Sequence, residues 1–327
     1  MISIAMTTFN GQGYIEDQLQ SLKNQTRFPD EIVICDDASY DNTIEIIDRF
    51  TKKNPQLNIK LIVNKENLGY KHNFYNAIKL TSGDIVFLCD QDDVWEKNKI
   101  EIMSSVLEND SKILVLNTAV KLIDAKGNTL RVIPEKNKSN CNIANFFVND
   151  CEIKKINYKT FLKGNISPGC TLCFKSIIKD VFTNTYDFDC AHDVQINSIG
   201  ALSNSLYFYN IQLTNYRIHS NNTIGFSFKG KKKAFNSASD RYIKRVSGIR
   251  SELNIAKKVN SLMNINLFED ILEKRYRAVN DGDIINLINL MNTGNYRCIY
   301  SNKQVLGDAL CAMYGKISYF LNHINHG

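Results

Sequence analysis

No run of apolar residues in this sequence approaches the roughly 20 needed to span a bilayer, which excludes an obvious membrane-spanning helix. The first residues are strand-like and lack a basic stretch followed by an apolar segment and a cleavage site, so no secretion signal is read there and a cytoplasmic protein is expected. The nine cysteines are odd in number and follow no small-scaffold spacing, which fits reduced thiols better than a disulfide framework. One pair, Cys170 and Cys173, has the C-x-x-C form, but it lies in a strand-like stretch, residues 169–174, where an odd spacing points the side chains to opposite faces. Zinc and redox chemistry are therefore not expected of it. A glycine-rich, lysine-bearing loop after the first strand is missing, which removes the P-loop enzymes. An arginine-rich helix or interleaved aromatic platform is missing too, so nucleic acid is not expected as a partner.

What remains is a chain of 327 residues, 43% hydrophobic, able to bury one large core or two smaller ones. Its net charge of +6 is unevenly placed: residues 226–327 carry 16 Lys and Arg against 8 Asp and Glu, or +8, which leaves −2 for residues 1–225. An anionic membrane surface or plain solubility can each account for that basic tail.

The first 120 residues alternate strands with helices. Strand-like runs at 2–7, 31–35, 60–63 and 84–88 are separated by helical spacing at 14–24, 41–50 and 70–80. The expected fold is α/β, a mainly parallel sheet with helices on both faces, whose ligands bind outside the carboxyl ends of the strands. All four predicted strands end in polar clusters: Thr7-Thr8-Phe9-Asn10-Gly11, Asp36-Asp37-Ala38-Ser39, Asn64 to Gly69, and Asp90-Gln91-Asp92-Asp93. One such cluster is ordinary turn chemistry; four at one edge suggest a shared site.

Three carboxylates within four positions repel one another unless a cation or several donors compensate them. Mg²⁺ and Mn²⁺ prefer oxygen ligands and leave positions open for phosphate oxygens, so Asp90 and Asp92 suit a nucleotide diphosphate. The structural alternative is that Asp92 or Asp93 caps a helix beginning near Glu96. Asp36 and Asp37 stand where a carboxylate can accept from a base N–H or a ribose hydroxyl. Asp41 precedes an apolar-periodic helix and reads as its cap, outside the site.

These motifs, together with Asn67-Leu68-Gly69 and Cys89-Asp90-Gln91-Asp92-Asp93-Val94-Trp95, resemble the successive motifs of the family 2 inverting glycosyltransferases. The Asp-Gln-Asp-Asp-x-Trp form resembles the rhamnosyltransferase-like branch, and the resemblance covers about the first 225 residues. It implies a GT-A fold that binds a nucleotide-diphospho-sugar through Mn²⁺ or Mg²⁺. Asp36 or Asp37 would meet the base, Asp90 and Asp92 the ribose, metal and diphosphate, and Thr8, Asn10 and Asn67 would line the pocket.

Residues 114–132 read as a hairpin turning at Asp124 to Asn128, and residues 134–142 as a polar, structureless loop beside the site. A turn at residues 163–170 leads into a strand. Residues 188–195 hold a second acidic hub, with Asp193 at the start of a helix running to about Ser203, where the sequence alone leaves open an N-cap or a catalytic group. The resemblance favours the latter, since His192-Asp193 is similar to the family motif whose Asp is the base. Residues 205–217 form one or two strands ending in Tyr216-Arg217-Ile218-His219-Ser220-Asn221-Asn222, similar to a family closing loop. There a neutral His219 would complete the metal site and Arg217 would neutralise diphosphate.

Beyond residue 226 helices are expected at 231–263, 267–279, 284–291 and 305–324, giving a catalytic domain over 1–225 and a basic helical region over 226–327. That region either packs back on the first or lies at an anionic lipid surface, making the protein peripheral on the inner face of the membrane. The reading is a metal-dependent inverting glycosyltransferase moving a sugar, rhamnose from dTDP-rhamnose favoured over a UDP-hexose or UDP-N-acetylhexosamine, onto a surface polysaccharide or a lipid-linked glycan precursor. A nucleotidyltransferase would leave Asp193 without a role, and a non-catalytic sugar-nucleotide-binding module has no need of a base.

Overall fold

Every residue of the first strand, β1 (Ile2–Thr8), is buried, and alternation sends Ile2, Ile4 and Met6 to one face and Ser3, Ala5 and Thr7 to the other. Such a strand must be covered on both sides. In the computed structural model, which describes residues 1–164, 166–220, 237–263 and 268–324, it is. Parallel partners β2 (Glu31–Asp36), β3 (Ile59–Val63) and β4 (Ile85–Cys89) build the order β3-β2-β1-β4. Helices α1 (Ile15–Lys23), α2 (Thr43–Lys53) and α4 (Lys99–Asn109) bury Leu19, Ile47 and Met103 in one cluster with Ile4, Ile34 and Phe87. The remaining early helix, α3 (Tyr70–Leu80), packs on β1 and β2 outside that cluster, through Phe74, Ala77 and Ile78.

Register fixes the site. Thr8 pairs with Asp36 and Asp36 with Val63, while Met6 pairs with Cys89. The four strands therefore end level, and their polar clusters emerge at one edge.

Beyond β4 the sheet is mixed. Strand β5 (Val94–Trp95), β6 (Val115–Ile123), β7 (Ile153–Lys155), β8 (Leu172–Lys175) and β9 (Leu206–Arg217) continue it as β4-β8-β6-β9-β5, with β7 on β9. Strand β9 is single, and its parallel register with β6 slips between Thr118 and Val120. Three short helices complete this half: α5 (Tyr158–Phe161), α6 (Ser176–Thr185) and α7 (His192–Leu202).

Four expectations are corrected here. The C-x-x-C stretch is not one strand: Gly169–Thr171 is a 3₁₀ turn closed by the Thr171 N–H on Pro168 O at 3.0 Å, so Cys170 lies in a turn and Cys173 on β8. The hairpin after β6 turns as expected at Asp124 to Asn128, with Gly127 at φ +87°, but its return is a single bridge, Ile123 to Thr129. Residues 134–142 are not structureless throughout: Asn140 is buried, accepts the Val120 N–H at 2.8 Å and donates to Ser167 Oγ at 2.5 Å. The helix after the acidic loop begins at Lys99 with Asn98 at its N-cap, because β5 intervenes; neither Asp92 nor Asp93 caps it.

The chain divides into two compact units, Met1–Phe226 and Ser227–Gly327. The second unit is helical: α8 (Ala238–Met263), α9 (Glu269–Asn280), α10 (Ile284–Met291), α11 (Gly294–Ile299) and α12 (Asn302–Ile324). Residues 231–236 of the expected first helix lie outside the described residues. Helix α11 was not expected, since six residues are too few to show a period; its N-cap Thr293 accepts from the Tyr296 N–H. The core of this unit holds Ile249, Val279 and Leu287. Beside it the fully buried Asp308 accepts from Arg245 Nε at 2.6 Å, from Arg275 Nε at 2.9 Å and from the Tyr296 hydroxyl. No helix among the described residues is long and apolar enough to cross a membrane.

Candidate active site

Three strand ends are tied together by side chains acting on backbone. Gln91 Oε1 accepts the Phe9 N–H at 2.8 Å and Gln91 Nε2 donates to Phe9 O at 2.9 Å, so one amide extends the sheet edge as a peptide would. Asn10 has φ +47° and bridges to the next loop, its N–H on Ser39 Oγ at 2.9 Å and its Oδ1 taking the Tyr40 N–H at 3.0 Å. Thr8 Oγ1 donates to Asp36 at 2.6 Å.

The two aspartates after β2 turn inward, contrary to the picture of a carboxylate reaching out to a base. Asp36 is 0% exposed and holds the Ser39 N–H at 2.8 Å and the Ser39 hydroxyl at 2.7 Å as well as Thr8. Asp37 is 2% exposed and accepts from Asn64 Nδ2 at 2.9 Å and from the N–H groups of Leu68 and Gly69 at 2.8 Å. Both therefore shape the cleft wall. Asn67, whose Nδ2 reaches Asp37 O at 3.3 Å, is exposed at the same edge. The N-cap of α2 is Asn42 and not Asp41 as expected, although Asp41, one residue earlier, accepts the Thr43 N–H at 3.0 Å.

At the end of β4 the acids crowd. Asp93 is 0% exposed; its Oδ1 takes the Arg217 N–H at 3.0 Å, and its Oδ2 has no hydrogen-bond partner among the described residues. Burial, and then the charge of Asp92, push its carboxyl up to about 7. Asp90 is pushed well above the usual carboxylate range by burial, then by Asp93, Asp92 and Asp193. Cys170 was not expected here: its sulfur and the carboxylates of Asp90 and Asp93 lie within 4.8 Å of one another. Burial pushes this thiol well up, so it stays protonated.

Beneath them is a fully buried cation that the sequence reading passed over. Lys99 Nζ donates to Cys170 O at 2.5 Å and to Thr214 Oγ1 at 2.9 Å, and sits 3.7 Å from the Trp95 ring centroid. Burial pulls the ammonium down to about 8, while Cys170, Cys89 and Asp93 oppose that fall. A signal existed: Lys99 shares the buried i, i+4, i+8 face of α4 with Met103 and Leu107, a place where lysine is rare.

The segment after β9 closes over the acidic loop. Arg217 is 3% exposed, and its guanidinium donates to Asp92 O at 2.7 Å, Ala125 O at 3.2 Å and Asp17 at 3.1 Å. Those bonds make it a clamp on the loop and not a group turned out toward diphosphate. His219 Nε2 lies 2.8 Å from Asp92 Oδ2, and its ring stacks on Tyr14 at 4.6 Å. Asn221 and Asn222 of the same expected loop lie outside the described residues.

Asp193 is brought to this edge by α7. The helix N-cap is Ala191, so Asp193 stands in the first turn and is not the cap; its Oδ1 accepts the Val194 N–H at 2.9 Å. Gly169 explains its approach. A Cβ built there would lie 3.2 Å from Asp193 Cβ and 3.1 Å from His192 Nε2, so any larger residue would press those side chains back by a few tenths of an ångström. His192 is buried, stacked on Phe74 at 3.7 Å, with no hydrogen-bond partner for either ring nitrogen among the described residues. Burial pulls it down to about 3, which keeps it neutral.

The residues fit a hard divalent ion at Asp92 and His219. Two ligands of an octahedral ion, each about 2.1 Å from it, lie about 3 Å apart, close to the 2.8 Å between Asp92 Oδ2 and His219 Nε2. The orphaned, buried Asp93 Oδ2 marks a region that calls for positive charge. Asp90, Asp93 and Cys170 form the other grouping, and a buried neutral thiol is a poor ligand for Mg²⁺ or Mn²⁺.

Comparison with known proteins agrees with this arrangement. Residues 3–182 match the family model described as Glycosyl transferase family 2. The chain is 31% identical over 272 residues to the dTDP-rhamnosyl transferase RfbG of Shigella flexneri, covering 78% of this chain and 87% of that one. It is 34% identical over 115 residues to the abequosyltransferase RfbV of Salmonella typhimurium, about a third of each chain, at 35% and 34%. Among solved structures it is similar to S. aureus TarS 1-349 in complex with UDP, at a TM-score of 0.54 and 17% identity over 98% of this chain and 91% of that one. At that identity the likeness concerns the fold, and it bears out the expected GT-A architecture.

Proposed function

The chain belongs to glycosyl transferase family 2, and on that premise we propose that it is a metal-dependent inverting glycosyltransferase. One observation carries this reading: Asp193 meets the acidic hub. The Gly169 turn packs on Asp193, and the next residue, Cys170, lies within 4.8 Å of the Asp90 and Asp93 carboxylates, so acids a hundred positions apart share one edge. A binding module has no use for such a carboxylate.

The chemistry follows from the roles. An acceptor hydroxyl oxygen attacks the anomeric carbon as the bond to the diphosphate oxygen breaks on the opposite face, which inverts the centre. Asp193 takes the hydroxyl proton as general base. Asp92 and His219 would hold a divalent ion, which when bound would supply charge to the leaving diphosphate. Asp90, Asn10 and Asn67 line the donor side, on walls set by Thr8, Asp36 and Asp37, and Arg217 fixes the acidic loop by its bond to Asp92 O.

Rhamnose from a dTDP donor is the sugar we favour, on the identity with RfbG over most of both chains. The acceptor is a surface polysaccharide or its lipid-linked precursor, on family resemblance. All the residues assigned here belong to the first unit, so residues 1–225 act as the catalytic domain. The basic helical unit offers Leu306, Leu310 and Met313 exposed along one face of α12, with exposed Lys303 and Lys316 on either side of them in the chain. That pairing suits peripheral contact with anionic lipid at the inner face of the membrane.

The test is slow donor hydrolysis without acceptor. Purified protein, given manganese and a panel of sugar nucleotides, should hydrolyse dTDP-rhamnose fastest and lose that activity in chelator. A folded protein that hydrolyses none of the panel would contradict the assignment.

A further inference from the structure

The segment leading into Asp193 is bound along its length to the start of α3. Lys71 Nζ donates to Asp189 O at 2.6 Å, and the Tyr186 hydroxyl donates to Lys71 O at 3.1 Å. Phe188 stacks on His72 with centroids 4.1 Å apart and planes at 16°, and Tyr186 and Tyr75 meet its edge at 4.8 Å and 5.4 Å. Further along, His192 stacks on Phe74 and meets Tyr70 edge-on at 6.3 Å. Helix α3 itself begins directly after the Leu68 and Gly69 amides that hold Asp37. The donor-side loop and the Asp193 segment are thus joined by aromatic contacts.

Two rings of this cluster face water. Phe188 is 41% exposed, and His72 is exposed beside it. Phe188 keeps this exposure although three aromatic rings, His72, Tyr75 and Tyr186, contact it. The surroundings are polar in a particular way: Asp187 and Asp189 flank Phe188 in the chain, and Lys71 adjoins His72. Asp193 stands five residues beyond Phe188, and its charge acts on Tyr70 and Tyr186 of the same cluster.

An aromatic face ringed by carboxylates and an ammonium matches one ligand chemistry closely. A pyranose ring has an apolar face of C–H groups and a rim of hydroxyls, the first suited to a ring surface and the second to charged hydrogen-bonding groups. We propose that the stacked pair of His72 and Phe188 forms the platform for the acceptor sugar, whose C–H face lies on the outward face of the stack with its reacting hydroxyl toward Asp193. This assignment rests on the glycosyltransferase reading and adds to it the place and chemical class of the acceptor.

Kinetics and a fluorescent reporter test it together. Phe188→Ala should raise the acceptor KM at least about tenfold, the loss expected when an aromatic stacking contact is removed, while acceptor-free donor hydrolysis stays near the parental rate. Phe188→Trp keeps the stacking surface and should restore the acceptor KM. The indole also reports binding, because the chain's one native tryptophan, Trp95, is buried. Titrating Phe188→Trp with methyl glycosides of rhamnose, glucose, galactose and N-acetylglucosamine should change its emission saturably for at least one of them. If no methyl glycoside changes that emission, or if Phe188→Ala leaves the acceptor KM unchanged, the platform is overturned. A change produced by nucleoside diphosphate and by none of the glycosides would place the donor base there, and also overturns it. Absence of donor hydrolysis in the parent protein would instead count against the glycosyltransferase reading itself.

Discussion

His219 Nε2 and Asp92 Oδ2 lie 2.8 Å apart although 127 positions separate them in the chain. The contact joins the acidic loop after β4 to the segment after β9, and Tyr14 holds the imidazole by stacking on it. Asp92→Asn and His219→Ala should each weaken binding of a nucleoside diphosphate in manganese by at least about tenfold, the scale of losses seen when metal-site groups are removed. Calorimetric titration with and without chelator checks this. Curves that match the parent in both conditions would remove the metal role from the pair.

Gly11 is required by Gln91. A Cβ at position 11 would fall 2.2 Å from Gln91 Oε1, the atom that holds the Phe9 N–H. Gly11→Ala should therefore cost about 1–3 kcal/mol by displacing that amide. Adding Gln91→Ala makes room, so the double variant should be less destabilised than the two single costs added together. Urea denaturation of the full cycle measures the coupling; simple additivity would show that the two positions do not meet.

Lys99→Met keeps the volume on Trp95 but removes the donor to Cys170 O and Thr214 Oγ1. The account expects a loss of about 1–3 kcal/mol from buried groups left unpaired. A variant as stable as the parent in urea would show that the buried ammonium is dispensable to the fold.

How much of this was legible in the chain differs residue by residue. The level strand ends were readable because short, largely apolar runs ending in polar clusters are local signals, as at Ile2–Thr8 and Ile85–Cys89, which are buried at every position. Asp36 and Asp37 were legible as site residues but not as inward-facing ones, since the donors they hold include backbone N–H groups of Ser39, Leu68 and Gly69, to which sequence gives no address. The hydrogen bonds of Arg217 were not legible for a similar reason: two of its partners are the carbonyls of Asp92 and Ala125. Cys170 was set aside on a strand pairing that the 3₁₀ turn at Gly169–Thr171 replaces. Asp193 was singled out from its motif, with the helix cap left open, and the structure excludes it as that cap.

His192 gives a pH signature. Burial lowers its folded value from 6.5 to about 3, so the folded chain binds fewer protons than the unfolded chain between those limits. Its contribution to stability is therefore complete above pH 6.5 and lost as pH falls toward 3. Each pH unit in that window is worth at most about 1.4 kcal/mol for one proton. His192→Leu should flatten the acid limb of the stability profile by about one proton. Parallel profiles for variant and parent in chemical denaturation would mean that the histidine is not held neutral.

The central claim is that Asp193 takes the proton from the acceptor hydroxyl. Asparagine preserves its size and its place in the first turn of α7 while removing the base. Transfer by Asp193→Asn, measured with donor binding and melting temperature on the same preparation, tests the claim most directly. The account predicts unchanged donor affinity, a melting point close to the parent's and transfer slower by at least about a hundredfold, the usual contribution of a general base. Transfer near the parental rate would contradict it and send the search for the base to Asp189.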